Sequence, residues 1–107
     1  MTLKPEHREL LRRLTLNDVE TLRKAVSGSE PGAPSLLDEK TGALVKLAGL
    51  VALEAEIASL QVVRDEVWAA GGGDEAIVGT VMAVAPIVGT ARVAAIVPRL
   101  AIALSSD

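Results

Sequence analysis

Three polar residues near the middle of the chain, Glu54, Glu56 and Ser59, have the types and spacing to do chemistry. Glu56 and Ser59 are three apart, which places them on one face of a helix. A carboxylate drawn out of water there is a candidate general base, with the Ser59 hydroxyl beside it. The same residues also serve without chemistry: the glutamates as helix-terminal groups, and Ser59 as an ordinary hydroxyl with no base next to it. Glu54 and Glu56 are two apart and diverge on a continuous helix, so they do not make the facing pair of a glycosidase. Further on, Arg92 and Arg99 are seven apart and share another helix face. They suit a small carboxylate ligand held in a groove between subunits. With no ligand, they suit ion pairs across an interface, or solvent.

Other chemistries are closed by composition. The chain contains no cysteine, which removes disulfides, thiolate metal sites, Fe–S clusters and thiol catalysis. Its single histidine is His7, in a charged N-terminal segment, where a solvated side chain is the plain expectation. Asp65 and Glu66 are adjacent and make no ligand cluster, so neither a metal nor another cofactor is expected. Gly71-Gly72-Gly73 is not a phosphate loop, since no Lys-Ser/Thr follows it and no strand precedes it. A formal charge of -3, no basic stripe, and no Phe or Tyr disfavour nucleic acid as a partner. The opening MTLKPEHRELLRRL is charged and lacks the apolar core of a signal peptide, so a cytoplasmic location is expected.

The elements that position these residues read as helices. The 107 residues suggest one domain. Half of the residues, 50%, are apolar, with a mean hydropathy of +0.38. That is more apolar surface than a small monomer easily hides, and it points to a hydrophobic interface between copies of the chain. Trp68 is the one aromatic residue, at the end of a helix, where core or interface packing is expected.

A first helix is expected from Pro5 to about Leu14, with Pro5 at the first helical position. Thr15 with Asp18 can cap a second helix, stapled by Leu14 and Val19, and Asn17 with Glu20 is a competing start. Val19, Leu22 and Val26 supply its buried face, and Gly28 stops it. Residues 28–35 (GSEPGAPS) read as an internal connection between a helical arm, 1–27, and an apolar body. A third helix starts near Asp38, is apolar nearly all round from Val45 to Leu53, and is therefore central. Its Gly42 and Gly49 leave room for another helix to approach.

The fourth helix covers about Glu56 to Ala70, with Ile57, Leu60, Val63 and Val67 inward and Ser59, Arg64, Asp65 and Glu66 outward. The local sequence leaves open whether it is continuous with the third. The glycine triplet ends it, and Asp74 can cap a fifth helix carrying Ile77, Val81, Val84 and Val88. Pro86 kinks or ends that helix. A sixth runs from about Thr90 to Leu104, with Pro98 as a second kink and Val93, Val97, Leu100 and Leu104 as its apolar face. The uncharged run Ala76–Ala91 is sixteen residues long and holds Pro86, so it is short of the roughly 20 apolar residues of a membrane span. No segment alternates as a strand does.

In this order LDEKTGALVKLAGLVAL, a polar amphipathic helix, AAGGGDEAI and VMAVAPIVGTARVAAIVPRLAIAL resemble the carboxymuconolactone decarboxylase and alkylhydroperoxidase D-like superfamily. The resemblance spans about Leu37 to Leu104. It implies an all-helical, alkylhydroperoxidase D-like bundle of about six helices, with a break between the third and fourth, assembling as an obligate homotrimer or homohexamer. Redox members of that family carry C-x-x-C-x-x-x-H on the helix before the glycine turn and a relay glutamate upstream. Counted back from Gly71, those places fall on Glu56, Ser59 and Val63, and the relay position falls at Ala43 or Leu44. Every reactive group is absent, so the family's peroxidase chemistry is excluded for this chain.

Two functions remain. One is a non-redox binding or structural module, with aliphatic packing or open solvent around Glu56, Ser59 and Val63. The other is a non-redox enzyme, lactone decarboxylase-like or isomerase-like, in which Glu56, Ser59 and an arginine converge on one pocket.

Overall fold

The computed structural model describes residues 2–28 and 36–105, and among these every regular element is an α-helix. There are six: α1 (Pro5–Thr15), α2 (Val19–Ser27), α3 (Glu39–Ala52), α4 (Ile57–Ala69), α5 (Asp74–Val88) and α6 (Thr90–Ser105). No helix among the described residues is long and apolar enough to cross a membrane. The chain divides into two compact units, Met1–Pro34 and Ser35–Asp107. Of the connection read at 28–35, only Gly28 is among the described residues.

In the first unit, Pro5 opens α1 from an extended Lys4. The helix ends in a left-handed turn. Asn17 has φ 57°, its N–H donates to the Leu14 carbonyl at 3.1 Å, and the Asp18 N–H reaches back to Arg13 at 3.0 Å. This paired closure satisfies carbonyls that a helix end leaves bare. It also moves the start of α2. Asp18 is the cap, accepting from the Thr21 N–H at 3.0 Å, rather than Thr15 or Asn17. Thr15 turns its hydroxyl back onto the Leu11 carbonyl at 2.8 Å, and Asn17 is used by the turn. The staple of Leu14 and Val19 therefore has no cap to close around. Gly28 ends α2 at φ 69° as expected. No residue of α1 or α2 is buried, and Val19 and Val26, expected inward, are exposed. Two short helices have too little surface to close over their own stripe.

The second unit is a four-helix bundle in which α3 packs on α4 and α5, and α6 closes against both of those helices and also touches α3. Asp38 caps α3 by accepting the Thr41 N–H at 2.7 Å. The core takes Ala43, Leu47 and Val51 from α3, Leu60, Val63 and Val67 from α4, Ile77 and Val81 from α5, and Ile96, Leu100 and Ala103 from α6. All are aliphatic, as a chain with one aromatic residue requires. On α6 the buried stripe is turned relative to expectation. Ile96 and Ala103 are fully inside, while Val97 is exposed. Pro86 neither ends α5, which runs on to Val88 and stops at Gly89, nor does Pro98 end α6. Gly42 and Gly49 admit no close neighbour: a Cβ at either would meet nothing within 4 Å.

The glycine triplet closes α4 with two distinct demands. Gly71 takes φ 90°. Gly72 donates to the Val67 carbonyl at 2.9 Å, so close that a Cβ there would sit 2.7 Å from Val67 Cγ1. Asp74 is not a cap. Gly73 holds that position, and Asp74 and Glu75 lie in the first turn of α5, where carboxylates favour the helix dipole.

Candidate functional site

The α3–α4 junction, where the candidate residues lie, is a real break. Helix α3 stops at Ala52, and Glu54 adopts a left-handed φ of 52°. Its N–H donates to the Val51 carbonyl at 3.2 Å, and the Ala55 N–H donates to Leu50 at 3.0 Å. This is the closure seen after α1 and α4, with a glutamate where those turns have asparagine and glycine. Side chains other than glycine and asparagine are strained in this conformation.

Two arginines from α6 hold the junction. One Arg92 nitrogen donates to the Ala52 carbonyl at 2.5 Å. One Arg99 nitrogen donates to the carbonyls of Glu54 at 2.6 Å and Ala55 at 3.2 Å. These are main-chain acceptors at the negative end of α3, where a cation is favoured and the helix has no donors of its own. Seven residues is two helical turns, and that spacing sets the two arginines along the turn. The arginines read from sequence as ligand-binding or interface groups are thus engaged within their own unit. The Glu56 carboxylate is 3.9 Å from Arg99 but 83% exposed, so it adds a loose surface pair.

The junction thus draws Glu54, Glu56 and Arg99 together through backbone and a loose ion pair. Ser59 is on the exposed side of α4. Val63 points the other way, into the aliphatic core. At the position of the relay acid, Ala43 is buried and Leu44 half-buried. A hollow of about 400 Å³ lies next to Ala43, between the start of α3 and the end of α4, and is lined also by Asp38, Glu39, Lys46 and Glu66. Lys46 and Glu66 pair across it at 3.1 Å. Neither Glu54, Glu56, Ser59, Arg92 nor Arg99 lines it. Among the described residues no group of three or more His, Asp or Glu is placed to hold a metal. His7 is half-buried on α1 in the first unit.

Arg64 is the residue the sequence reading misplaced. Assigned to the polar side of α4, it is 5% exposed. Its guanidinium donates to the Ala103 carbonyl in the last turn of α6, pairs with Asp65 at 2.9 Å, and lies 4.8 Å from the centre of the Trp68 ring. The signal was present: residue 64 follows Leu60 by four and Ile57 by seven, and falls within the arc of Ile57, Leu60, Val63 and Val67. An arginine there buries its stem and brings its head to a helix end. Trp68 is accordingly a half-open lid on a cation, 40% exposed, and not a core residue.

No family model, no curated protein and no solved structure matches this chain.

Proposed function

We propose that the chain is a cysteine-free, alkylhydroperoxidase D-like helical module that acts by self-association and binding, without redox chemistry. The observation that carries this reading is the fate of the three positions where the redox motif would stand. Val63 is in the aliphatic core, and Glu56 and Ser59 face solvent. A general base and its substrate need a shared, water-excluding cleft, and the polar groups of the junction are spent on closing a helix end. The six helices, the break after α3 and the glycine turn after α4 agree with what the resemblance implies. The surplus of exposed apolar side chains on the second unit, among them Val45, Leu53, Val62 and Ile87, supports assembly into a homotrimer or homohexamer.

Native mass spectrometry and light scattering at micromolar concentration test this reading. An oligomer is expected, and a stable monomer would overturn it. The enzymatic alternative rests on the approach of Arg99 to Glu56. It requires Glu56→Gln to abolish turnover of a small lactone or carboxylate substrate, whereas the module reading expects no turnover to lose.

A further inference from the structure

The two arginines that close the α3–α4 junction do so with one nitrogen each. Arg92 gives Nη1 to the Ala52 carbonyl, and Arg99 gives Nη1 to the carbonyls of Glu54 and Ala55. A guanidinium carries its N–H donors in a planar fork, and two more nitrogens remain on each. Among the described residues no hydrogen bond or ion pair engages Nε or Nη2 of either side chain. Those two nitrogens form an edge that takes a carboxylate through two parallel hydrogen bonds. Water reaches both side chains: Arg92 is exposed and Arg99 is 34% exposed.

Two features make this pair more than two surface charges. The first is that the guanidinium groups are held. Their roots stand about 10.5 Å apart along α6, yet the carbonyls they reach belong to Ala52 and Glu54, residues two apart, whose Cα atoms are within about 7 Å of each other. The two heads therefore converge on one short turn, and much of the cost of ordering long side chains is met before a ligand arrives. The second is that the chain brings a carboxylate near and does not complete the contact. Glu56 Oε1 stops 3.9 Å from Arg99 Nη1, well beyond the roughly 2.7–2.9 Å of a charge-assisted hydrogen bond. Arg92 makes no ion pair among the described residues.

We infer that Arg92 and Arg99 together bind a small dicarboxylate, one carboxylate on the Nε–Nη2 edge of each arginine, with Glu56 displaced into solvent. The main-chain bonds through Nη1 stay in place, so the turn does not have to open. A monocarboxylate engages one arginine only. Glu54 and Glu56 flank the pair, so a long polyanion meets like charge on both sides, whereas a short diacid has one exposed side chain to displace. The inference rests on the binding half of the proposed function and names the class of ligand for it.

The test is a titration of the full chain with succinate, read from the arginine Nε–H resonances by NMR, with propionate and sodium chloride at equal ionic strength as controls. The expected result is a saturable shift confined to Arg92 and Arg99, with propionate about fivefold weaker, the worth of one exposed charge pair. Arg92→Met should weaken succinate by a similar factor. That variant also removes the bond to Ala52, so Glu56→Gln supplies a measurement independent of the turn. The Glu56 side chain is 83% exposed and makes only the loose pair, and its neutralisation should tighten succinate about twofold or more. Any of three results overturns the inference: a succinate shift no larger than that of sodium chloride, a shift spread equally over Arg8, Arg12, Arg13 and Arg23, or a Glu56→Gln protein that binds succinate no more tightly than wild type. Native mass spectrometry of the same samples separates this from the module reading. A monomer that binds succinate at both arginines keeps the site and overturns self-association, and an oligomer that binds none overturns the site alone.

Discussion

Arg99 on α6 and Glu54 at the end of α3 are joined guanidinium to main chain, nitrogen to carbonyl oxygen at 2.6 Å. The same nitrogen also serves the Ala55 carbonyl. One side chain thereby pins the turn that reverses the chain between α3 and α4. Arg99→Met keeps the aliphatic stem and removes the donor. A hydrogen bond to a charged group contributes about 1.5–3 kcal/mol. The side chain is 34% exposed, so water replaces part of what is lost and the lower end of that range is expected. Urea denaturation would show a lower midpoint at unchanged slope, with Arg99→Lys intermediate. An unmoved midpoint would mean that the turn holds itself.

Glu54 is strained where its counterparts are not. The turns after α1 and α4 use Asn17 and Gly71 at the left-handed position, and the turn after α3 uses a glutamate at φ 52°. Glu54→Gly removes a steric cost of about 1–2 kcal/mol and adds back some chain entropy. A net gain of about 1 kcal/mol is expected, or a rise of roughly 4–8 °C in Tm for a domain of this size. A fall in Tm would show that the glutamate side chain contributes something the backbone does not reveal.

The helices were legible because their signals are local. Asp38 before α3, the spacing of Ile77, Val81, Val84 and Val88, and the glycines after α4 each act within one or two turns. The break after α3 was not legible from its own residues. No glycine or proline marks it, and what holds it closed is Arg92 and Arg99, forty residues or more away in sequence. The partners of the candidate arginines were hidden for the same reason. Residue type gave Arg92 and Arg99 a possible ligand, but their partners are carbonyl oxygens, which every residue has and no sequence displays. The rotation of α6 that buries Ile96 and exposes Val97 likewise follows from α4 and α5 packing against it, since both residues are equally apolar.

Acid is expected to loosen the first unit through Glu9 and Asp18. The hydrogen bond from Arg12 is the largest cause; against an opposing desolvation, and with a weaker bond from Arg13, it pulls the Glu9 carboxyl from 4.5 down to about 2. The Thr21 hydroxyl, then its N–H, lowers that of Asp18. A carboxylate whose pKa is lower in the folded chain stabilises it fully above the unfolded value and loses that contribution as pH falls through the folded one. The window for Glu9 is therefore from about 4.5 down to about 2. In Glu9→Gln the pairing is absent at every pH. The far-UV circular dichroism of wild type and variant should differ near neutrality and converge across that window. These groups are exposed, so added salt should narrow the difference too. A gap that persists in acid and high salt would assign it to something other than the ion pairs.

Arg64 should be the costliest arginine to remove. It is 5% exposed, and its guanidinium joins α4 to the last turn of α6 through the Ala103 carbonyl. Arg64→Met leaves the stem in place but withdraws a charged donor from a buried helix end, at a cost of about 2–3 kcal/mol. Its partner Asp65 is 64% exposed, and a pair with one member in water is worth about 0–1 kcal/mol. The expected order of destabilisation is therefore Arg64→Met, then Arg99→Met, then Asp65→Ala. Trp68, the single aromatic residue, stands 4.8 Å from the cation and reports on it directly. Arg64→Met should change its emission in the folded state, whereas Arg99→Met should not. If Asp65→Ala instead matches Arg64→Met in urea, the ion pair and not the contact with α6 is what the buried arginine provides.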